Sequence, residues 1–163
     1  MTVNLAITMA FAGSRVLLVD ADLRSPRQHE LFFLENKVGF STVLSGRSRE
    51  EAIVRIPDLA GLCVLPAGPI PPNPLELLNR LNFDEFLIQV KANFDVVIID
   101  TPALSAGEDG AMMAVRTGAA LAVARSDKTR MTDFNDMVRG LMSAGVAVVG
   151  SVLNEMPLKK AVK

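Results

Sequence analysis

Two hydrophobic periods take turns along this chain from one end to the other. Stretches with apolar residues at i, i+3, i+4 and i+7 predict helices, and short unbroken runs of β-branched residues and leucine predict strands covered on both faces. Residues 3–12 predict a helix closed by Gly13. A strand ending at Asp20 follows, and a polar loop, Arg24-Ser-Pro-Arg27, leads to a short helix over residues 29–33. Further short helices are predicted over 39–44 and 48–54, the second opened by Ser48 with Glu51 three residues on, a capping box. Residues 62–65 predict a strand that runs into the one proline-rich segment, Pro66-Ala-Gly-Pro-Ile-Pro-Pro-Asn-Pro74. Within it, Asn73 as N-cap, Pro74 at the first helical position and Glu76 two residues later predict a helix through Leu78.

The next helix carries Phe83, Phe86, Leu87 and Val90 on one face. A strand then ends at Asp100, a helix follows over 109–115, and residues 119–124 predict another strand. Thr132 is expected to cap a helix striped with Phe134, Met137, Val138, Leu141 and Met142 and ended by Gly145. Residues 146–153 predict the last strand, which stops at Asn154. This alternation predicts an α/β fold, a doubly wound and mostly parallel sheet flanked by helices. With 163 residues and no repeat or linker, a single domain over residues 1–163 is expected, large enough to bury a core.

Composition narrows the picture. Half of the residues are hydrophobic and 21% are charged, the balance of a folded chain rather than a disordered one. A formal net charge of −1 offers no basic face, so nucleic acid is not expected as a partner. No apolar run approaches the roughly 20 residues that span a bilayer. The N-terminal pattern is helical and lacks a positive leader, so no signal peptide is expected. Cys63, the single cysteine, sits in a strand run and reads as a small buried hydrophobe, in keeping with a reduced, cytoplasmic setting. The eight methionines have no period of their own and read as core filling. The chain has neither tyrosine nor tryptophan.

The candidate chemistry lies where two strand runs end in carboxylates: Val16-Leu-Leu-Val-Asp20-Ala-Asp22-Leu-Arg24 and Phe94-Asp-Val-Val-Ile-Ile-Asp100-Thr-Pro102. Parallel sheets bind ligands beyond the carboxyl ends of their strands. An aspartate there also suits the turn that follows, but two such runs, one Asp-x-Asp and one Asp-Thr-Pro, point to a metal–nucleotide site built from Asp20, Asp22 and Asp100. Mg²⁺ keeps several waters and needs one or two carboxylates plus phosphate oxygens, which Asp20 and Asp100 would supply. Zinc is set aside, because His29 is the only histidine and no cysteine pair exists. His29 lies in a helical run with a polar surface and reads as solvated rather than as part of a triad. Arg24 and Arg27 suit a phosphate or an acidic partner, or simply a surface. No Gly-x-x-x-x-Gly-Lys-Ser/Thr phosphate loop occurs in the sequence.

With these residues in view, the chain resembles the cytoplasmic kinase domain of the bacterial tyrosine kinases of capsule and exopolysaccharide export. These are relatives of the partition and division-site ATPases with deviant Walker motifs. Residues 16–24 resemble the family's Walker A′ motif and residues 96–102 its Walker B motif, with Ala103 where the family often has a second proline. Pro26-Arg-Gln-His-Glu-Leu-Phe32, Gly39-Phe-Ser-Thr-Val-Leu-Ser-Gly46 and Leu65-Pro-Ala-Gly-Pro-Ile-Pro-Pro-Asn-Pro-Leu-Glu-Leu-Leu78 resemble stretches typical of these kinases rather than of the wider ATPase class. Gly150-Ser-Val-Leu-Asn154 resembles the strand end whose asparagine contacts adenine.

The resemblance implies a P-loop NTPase-like fold lacking its first strand and phosphate loop. Thr2-Val-Asn-Leu-Ala6 resembles the residues just after the Walker A lysine and hydroxyl residue, so the chain is expected to begin inside the phosphate-loop helix. ATP or ADP and Mg²⁺ are the implied cofactors. Asp20 is the implied Mg²⁺ carboxylate and base toward a tyrosine hydroxyl, Asp22 assists it, and Asp100 holds a metal-bound water. Asn154 is implied on adenine, and Arg24 is the candidate for phosphate. The implied activity is ATP-dependent phosphorylation of protein tyrosine, regulating polysaccharide polymerisation and export, with the isolated chain expected to be inactive. The tyrosine would come in trans from another molecule. A membrane-anchored polysaccharide co-polymerase or adaptor and further copies of the chain are the other implied partners, at the inner face of the cell membrane. Two alternatives stand beside this reading. One is a partition or positioning ATPase, against which residues 26–78 argue; the other is a non-catalytic interaction module, which the absent phosphate loop favours.

Overall fold

Every residue of strand β1, Val16–Asp20, is buried, as a run without polar alternation requires. In the computed structural model β1 lies between two parallel neighbours, β3 (Leu62–Leu65) and β4 (Val96–Asp100). A short antiparallel strand, β2 (Val54–Arg55), completes the order β2-β3-β1-β4. The structure describes all residues except Ser48, Arg49, Arg80 and 156–163. The chain divides into two compact units, Met1–Gly110 and Ala111–Lys163.

In the first unit, helix α1 (Thr2–Phe11) lays Ala6 and Ala10 against Val16 and Leu18 of β1 and Leu62 and Val64 of β3. Two alanines four residues apart form a smooth strip that lets the helix approach the sheet closely. Leu17 and Val19 point to the opposite face and are equally buried, so both faces of β1 are covered. Gly13 ends α1 in the left-handed region, φ +93°, as a helix-closing glycine does. Helix α2 is one turn, Gln28–Leu31, and α3 is Phe40–Leu44. The Asn73 side chain accepts the Glu76 N–H at 3.4 Å and opens α4 (Pro74–Leu78), as expected. In α5 (Leu81–Asn93) the expected face of Phe83, Phe86, Leu87 and Val90 is buried. Phe40 meets Phe83 edge-on and Phe86 at a tilt, with ring centroids 6.0 and 5.3 Å apart.

The helix expected over 48–54 does not form as such. Its cap, Ser48, lies outside the described residues, Glu50–Ala52 make a single 3₁₀ turn, and Val54 belongs to β2. Val54 pairs with Val64 and Arg55 with Cys63. The free edge of β3 thus draws a β-branched residue out of a weak local helix signal. Cys63 is only partly buried, and that burial still pushes its thiol upward.

In the second unit, β5 (Ala119–Arg125) and β6 (Ala147–Asn154) pair in parallel. The register slips where Ala120 faces Val148 and Leu121 faces Gly150, which leaves Val149 bulged and exposed. Helix α6 is Asp109–Thr117, whose first two residues belong to the first unit, and α7 (Met131–Ser143) connects β5 to β6. The α7 stripe keeps Phe134, Met137 and Val138 half-buried and Leu141 buried, but Met142 is turned outward and exposed. Thr132 is not the cap: Arg130 holds the extended N-cap conformation, and the Thr132 hydroxyl inside the first turn donates to Asp133. Among the described residues no helix is long and apolar enough to cross a membrane.

Candidate functional site

The β1–β4 register sets Asp20 directly opposite Asp100, and the Ala21 N–H continues the ladder to the Asp100 carbonyl at 2.8 Å. Both carboxylates therefore arise from the carboxyl ends of adjacent parallel strands, where such sheets place their ligands.

Asp20 is fully buried. Its Oδ1 accepts the Asp22 N–H at 3.3 Å, and its Oδ2 accepts the N–H groups of Arg27 and Gln28 at 3.0 and 2.9 Å. One side chain thereby gathers the whole loop from Asp22 to Gln28 around itself. Burial pushes the Asp20 carboxyl above the usual carboxylate range; the Gln28 and Arg27 N–H groups pull it down, and the Asp100 charge adds to the rise. Asp22 is half-buried and shapes the same loop, its Oδ1 accepting the Arg24 and Ser25 N–H groups at 3.1 and 2.9 Å.

Asp100 is held differently. It is half-buried, and both its partners are side chains: Thr2 Oγ1 donates to Oδ1 and Gln28 Nε2 donates to Oδ2, each at 2.6 Å. Thr2 is the first residue of α1, whose N-terminus has no side-chain cap and no acidic residue in its first turn. Its unsatisfied N–H groups and positive dipole end suit an anion there. Gln28 is 5% exposed, and its Oε1 is buried without a hydrogen-bond partner.

Arg24, expected on phosphate, is engaged elsewhere. Its Nε and Nη2 donate to the two carboxylate oxygens of the buried Asp109 at 2.7 and 3.3 Å, and this pairing raises the guanidinium further. It also lies over Gly107, where a Cβ would come within 3.4 Å of Nη2. His29, expected in solvent, is half-buried with Nδ1 enclosed and unpartnered. Asn154 ends β6 in the second unit, where its carbonyl accepts the Ser126 N–H at 2.9 Å. The structure thus brings Asp20, Asp22 and Asp100 to one strand edge, ties Arg24 to Asp109, and sets Asn154 in the other unit.

Sequence reasoning missed Thr2 and Gln28. They reach Asp100 across 98 and 72 residues, and no local pattern marks such a contact. Among the described residues no group of three or more His, Cys, Asp or Glu is placed to hold a metal. A cation here would rest on Asp100, the Thr2 hydroxyl and oxygens of a bound phosphate. That all-oxygen set fits Mg²⁺, and the orphaned Gln28 oxygen fits it too.

No family model matches the chain. Curated relatives do. The tyrosine-protein kinase ptk of Acinetobacter johnsonii is 38% identical over 158 residues, which cover 97% of this chain and 22% of that protein. The putative tyrosine-protein kinase CapB of Staphylococcus aureus is 32% identical over 160 residues, 98% of this chain and 70% of that protein. The chain thus spans about a fifth of the longer relative. Among solved structures, the kinase domain of Escherichia coli tyrosine kinase ETK superposes with a TM-score of 0.87 at 30% identity, covering 99% of this chain and 65% of that one. The septum site-determining protein MinD of Pyrococcus horikoshii, complexed with Mg-ADP, shares the fold with a TM-score of 0.80 at 23% identity, over 98% of this chain and 65% of that one. The chain belongs to the bacterial tyrosine-protein kinase family and has its P-loop NTPase-like α/β fold.

Proposed function

We propose that this chain is the core of an ATP-dependent protein-tyrosine kinase that regulates the polymerisation and export of a capsular or extracellular polysaccharide. The observation that carries this reading is the in-register pair Asp20–Asp100, with the Thr2 hydroxyl 2.6 Å from Asp100 at the start of α1. Bound Mg²⁺ supplies neutralisation of the charge that develops on a transferred phosphoryl group, and positioning supplies most of the rest. Asp100 and Thr2 would hold that cation. Asp20, raised by burial, is the proton acceptor for a tyrosine hydroxyl once the hydroxyl displaces one of its backbone donors. Asp22 keeps the loop in shape for that exchange.

The substrate is a tyrosine-bearing protein segment presented in trans; residues 1–163 contain no tyrosine. A membrane-anchored adaptor and other copies of the chain complete the assembly at the inner face of the membrane. The test uses the chain preceded by a relative's upstream strand and phosphate loop, mixed with a tyrosine-rich tail and labelled ATP. Label on the tail that disappears with Asp20→Asn and Asp100→Ala is expected. Phosphate released to water with the tail unlabelled would favour a positioning ATPase, and labelling that survives Asp20→Asn would remove Asp20 as the base.

A further inference from the structure

Gln28 touches both carboxylates at once. Its backbone N–H donates to Asp20 Oδ2 at 2.9 Å and its side-chain Nε2 donates to Asp100 Oδ2 at 2.6 Å. The amide orientation follows from chemistry, because an ionised carboxylate only accepts and so must face the nitrogen. That leaves Oε1 buried and without a partner. A buried acceptor of this kind is rare and needs a reason. Packing does not provide one, since an apolar side chain of the same shape would fill the space without a buried acceptor.

We propose that Gln28 is a ligand of the divalent cation at Asp100, its amide presenting nitrogen to the empty carboxylate and oxygen to the loaded one. This rests on the reading of Asp100 as a cation-holding carboxylate. An amide is the side chain that serves both states. Leucine would leave Asp100 Oδ2 without its donor, and glutamate would set a like charge against the empty carboxylate. When a cation takes the place of the donated hydrogen, the orphaned oxygen gains its partner. Carboxylate, hydroxyl and amide oxygens from Asp100, Thr2 and Gln28 form a hard, all-oxygen donor set suited to Mg²⁺ and poorly suited to zinc. The Asp20 loop is drawn into the same event, because the residue that binds the cation also carries one of the N–H groups holding Asp20.

The experiment is a titration of the whole chain with Mg²⁺ alone, followed by the NMR signals of the side-chain amides and by calorimetry. The Gln28 NH₂ pair, identified by its loss in Gln28→Leu, is expected to be the most displaced side-chain amide on Mg²⁺ addition. Gln28→Leu is expected to weaken Mg²⁺ about tenfold with little change in melting temperature, since it removes a buried orphan but also takes the donor from Asp100 Oδ2. Gln28→Glu, which keeps an oxygen, is expected to recover the binding. A leucine variant that melts earlier yet binds Mg²⁺ like the parent overturns the proposal, as does a Gln28 amide that stays still at millimolar Mg²⁺. A Mg²⁺ response that persists in Asp100→Asn points instead to failure of the underlying site reading.

Discussion

Strands β1 and β4 share length, apolar pattern and a terminal aspartate, and they pair from Val16 opposite Val96 to Asp20 opposite Asp100. Their surroundings differ. β1 has a strand on each side and is buried throughout, whereas β4 has β1 on one side, is terminal in its sheet, and is half-buried at every position. The aspartates follow suit. Asp20 is sealed and bound by backbone N–H groups, which give way only when the loop from Asp22 to Gln28 itself shifts. Asp100 is bound by a hydroxyl and an amide on rotatable side chains, which can exchange for a ligand. The same sequence pattern therefore builds a loop in one strand and an exchangeable site in the other.

The strongest way to sharpen this contrast is to give β4 a second neighbour. In the chain as written, no lysine or backbone cradle of a phosphate loop offsets the triphosphate charge against Asp20, Asp22 and Asp100. No measurable ATP hydrolysis is expected, and Mg²⁺-ADP affinity no better than about millimolar. Fusing a relative's strand and Gly-x-Gly-Lys-Thr loop ahead of Val3 is expected to bring calorimetric affinity to about micromolar, a gain of about 4 kcal/mol. Micromolar binding by the unfused chain would break the argument and would turn attention to Arg27, whose side chain is 75% exposed.

Next in size is a pair of core truncations at facing positions. Leu18 is 0% exposed and lies opposite Ile98, which is only half-buried. Leu18→Ala is expected to cost about 3 kcal/mol and Ile98→Ala about half as much, read from urea unfolding. Equal losses would mean that the open side of β4 contributes as much burial as the flanked sides of β1.

That difference was not legible in the chain, and the reason is physical. An unbroken apolar run reports that a strand seeks cover on both faces; it carries no count of the strands beside it. The short-range signals read well because their causes are local: Asn73 with Pro74 and Glu76, Gly13 after α1, and the Phe83–Phe86 face of α5. The in-register Asp20 and Asp100 were legible because each ends its own run. β2 was not, because two residues hold no period and Val54 takes strand form only against Val64. Thr2 and Gln28 were also missed, since hydrogen bonds across 98 and 72 residues depend on the finished fold. Arg24 read as a phosphate ligand because its sequence neighbours are loop residues, while its partner, Asp109, comes from the start of α6.

The two aspartates themselves give a smaller contrast. Asp20→Ala strands three backbone donors in a buried loop and is expected to cost about 3 kcal/mol, against about 1–2 kcal/mol for Asp100→Ala, which strands the buried Gln28 amide alone while the half-buried Thr2 hydroxyl can turn to water. Asp20 also sets a slope in pH. Its folded pKa is raised, so the folded chain keeps a proton that the unfolded chain releases near pH 4. By linkage its contribution to stability is fully present below the ordinary carboxylate pKa and is lost as pH rises through the raised folded value. Denaturant midpoints measured upward from about pH 4 are expected to fall through that window in the parent and to stay level in Asp20→Asn. A parent without the slope would mean that the backbone donors fully offset burial.

The smallest effect belongs to the opposite ends of the same two strands. Arg15, just before β1, pairs with Asp95, just before β4, at 2.6 Å, and the Arg15 N–H also donates to Asp95 Oδ2 at 2.8 Å. The Arg15 hydrogen bonds hold the Asp95 carboxyl down at about 2. Here the sign is reversed. The contribution is fully present above the unfolded value of about 4 and is lost as pH falls through about 2. Both side chains are largely in solvent, 62% and 46% exposed, so the pair is weak and salt screens it. Asp95→Asn is expected to flatten the acid limb of stability between pH 2 and 4 at low salt and to change little at high salt. The Asp20 slope, arising from a sealed group, should survive the same salt. If both slopes respond to salt alike, the carboxyl end of β1 is no better shielded than half-buried β4, and the contrast between the two strands fails at the site where it matters most.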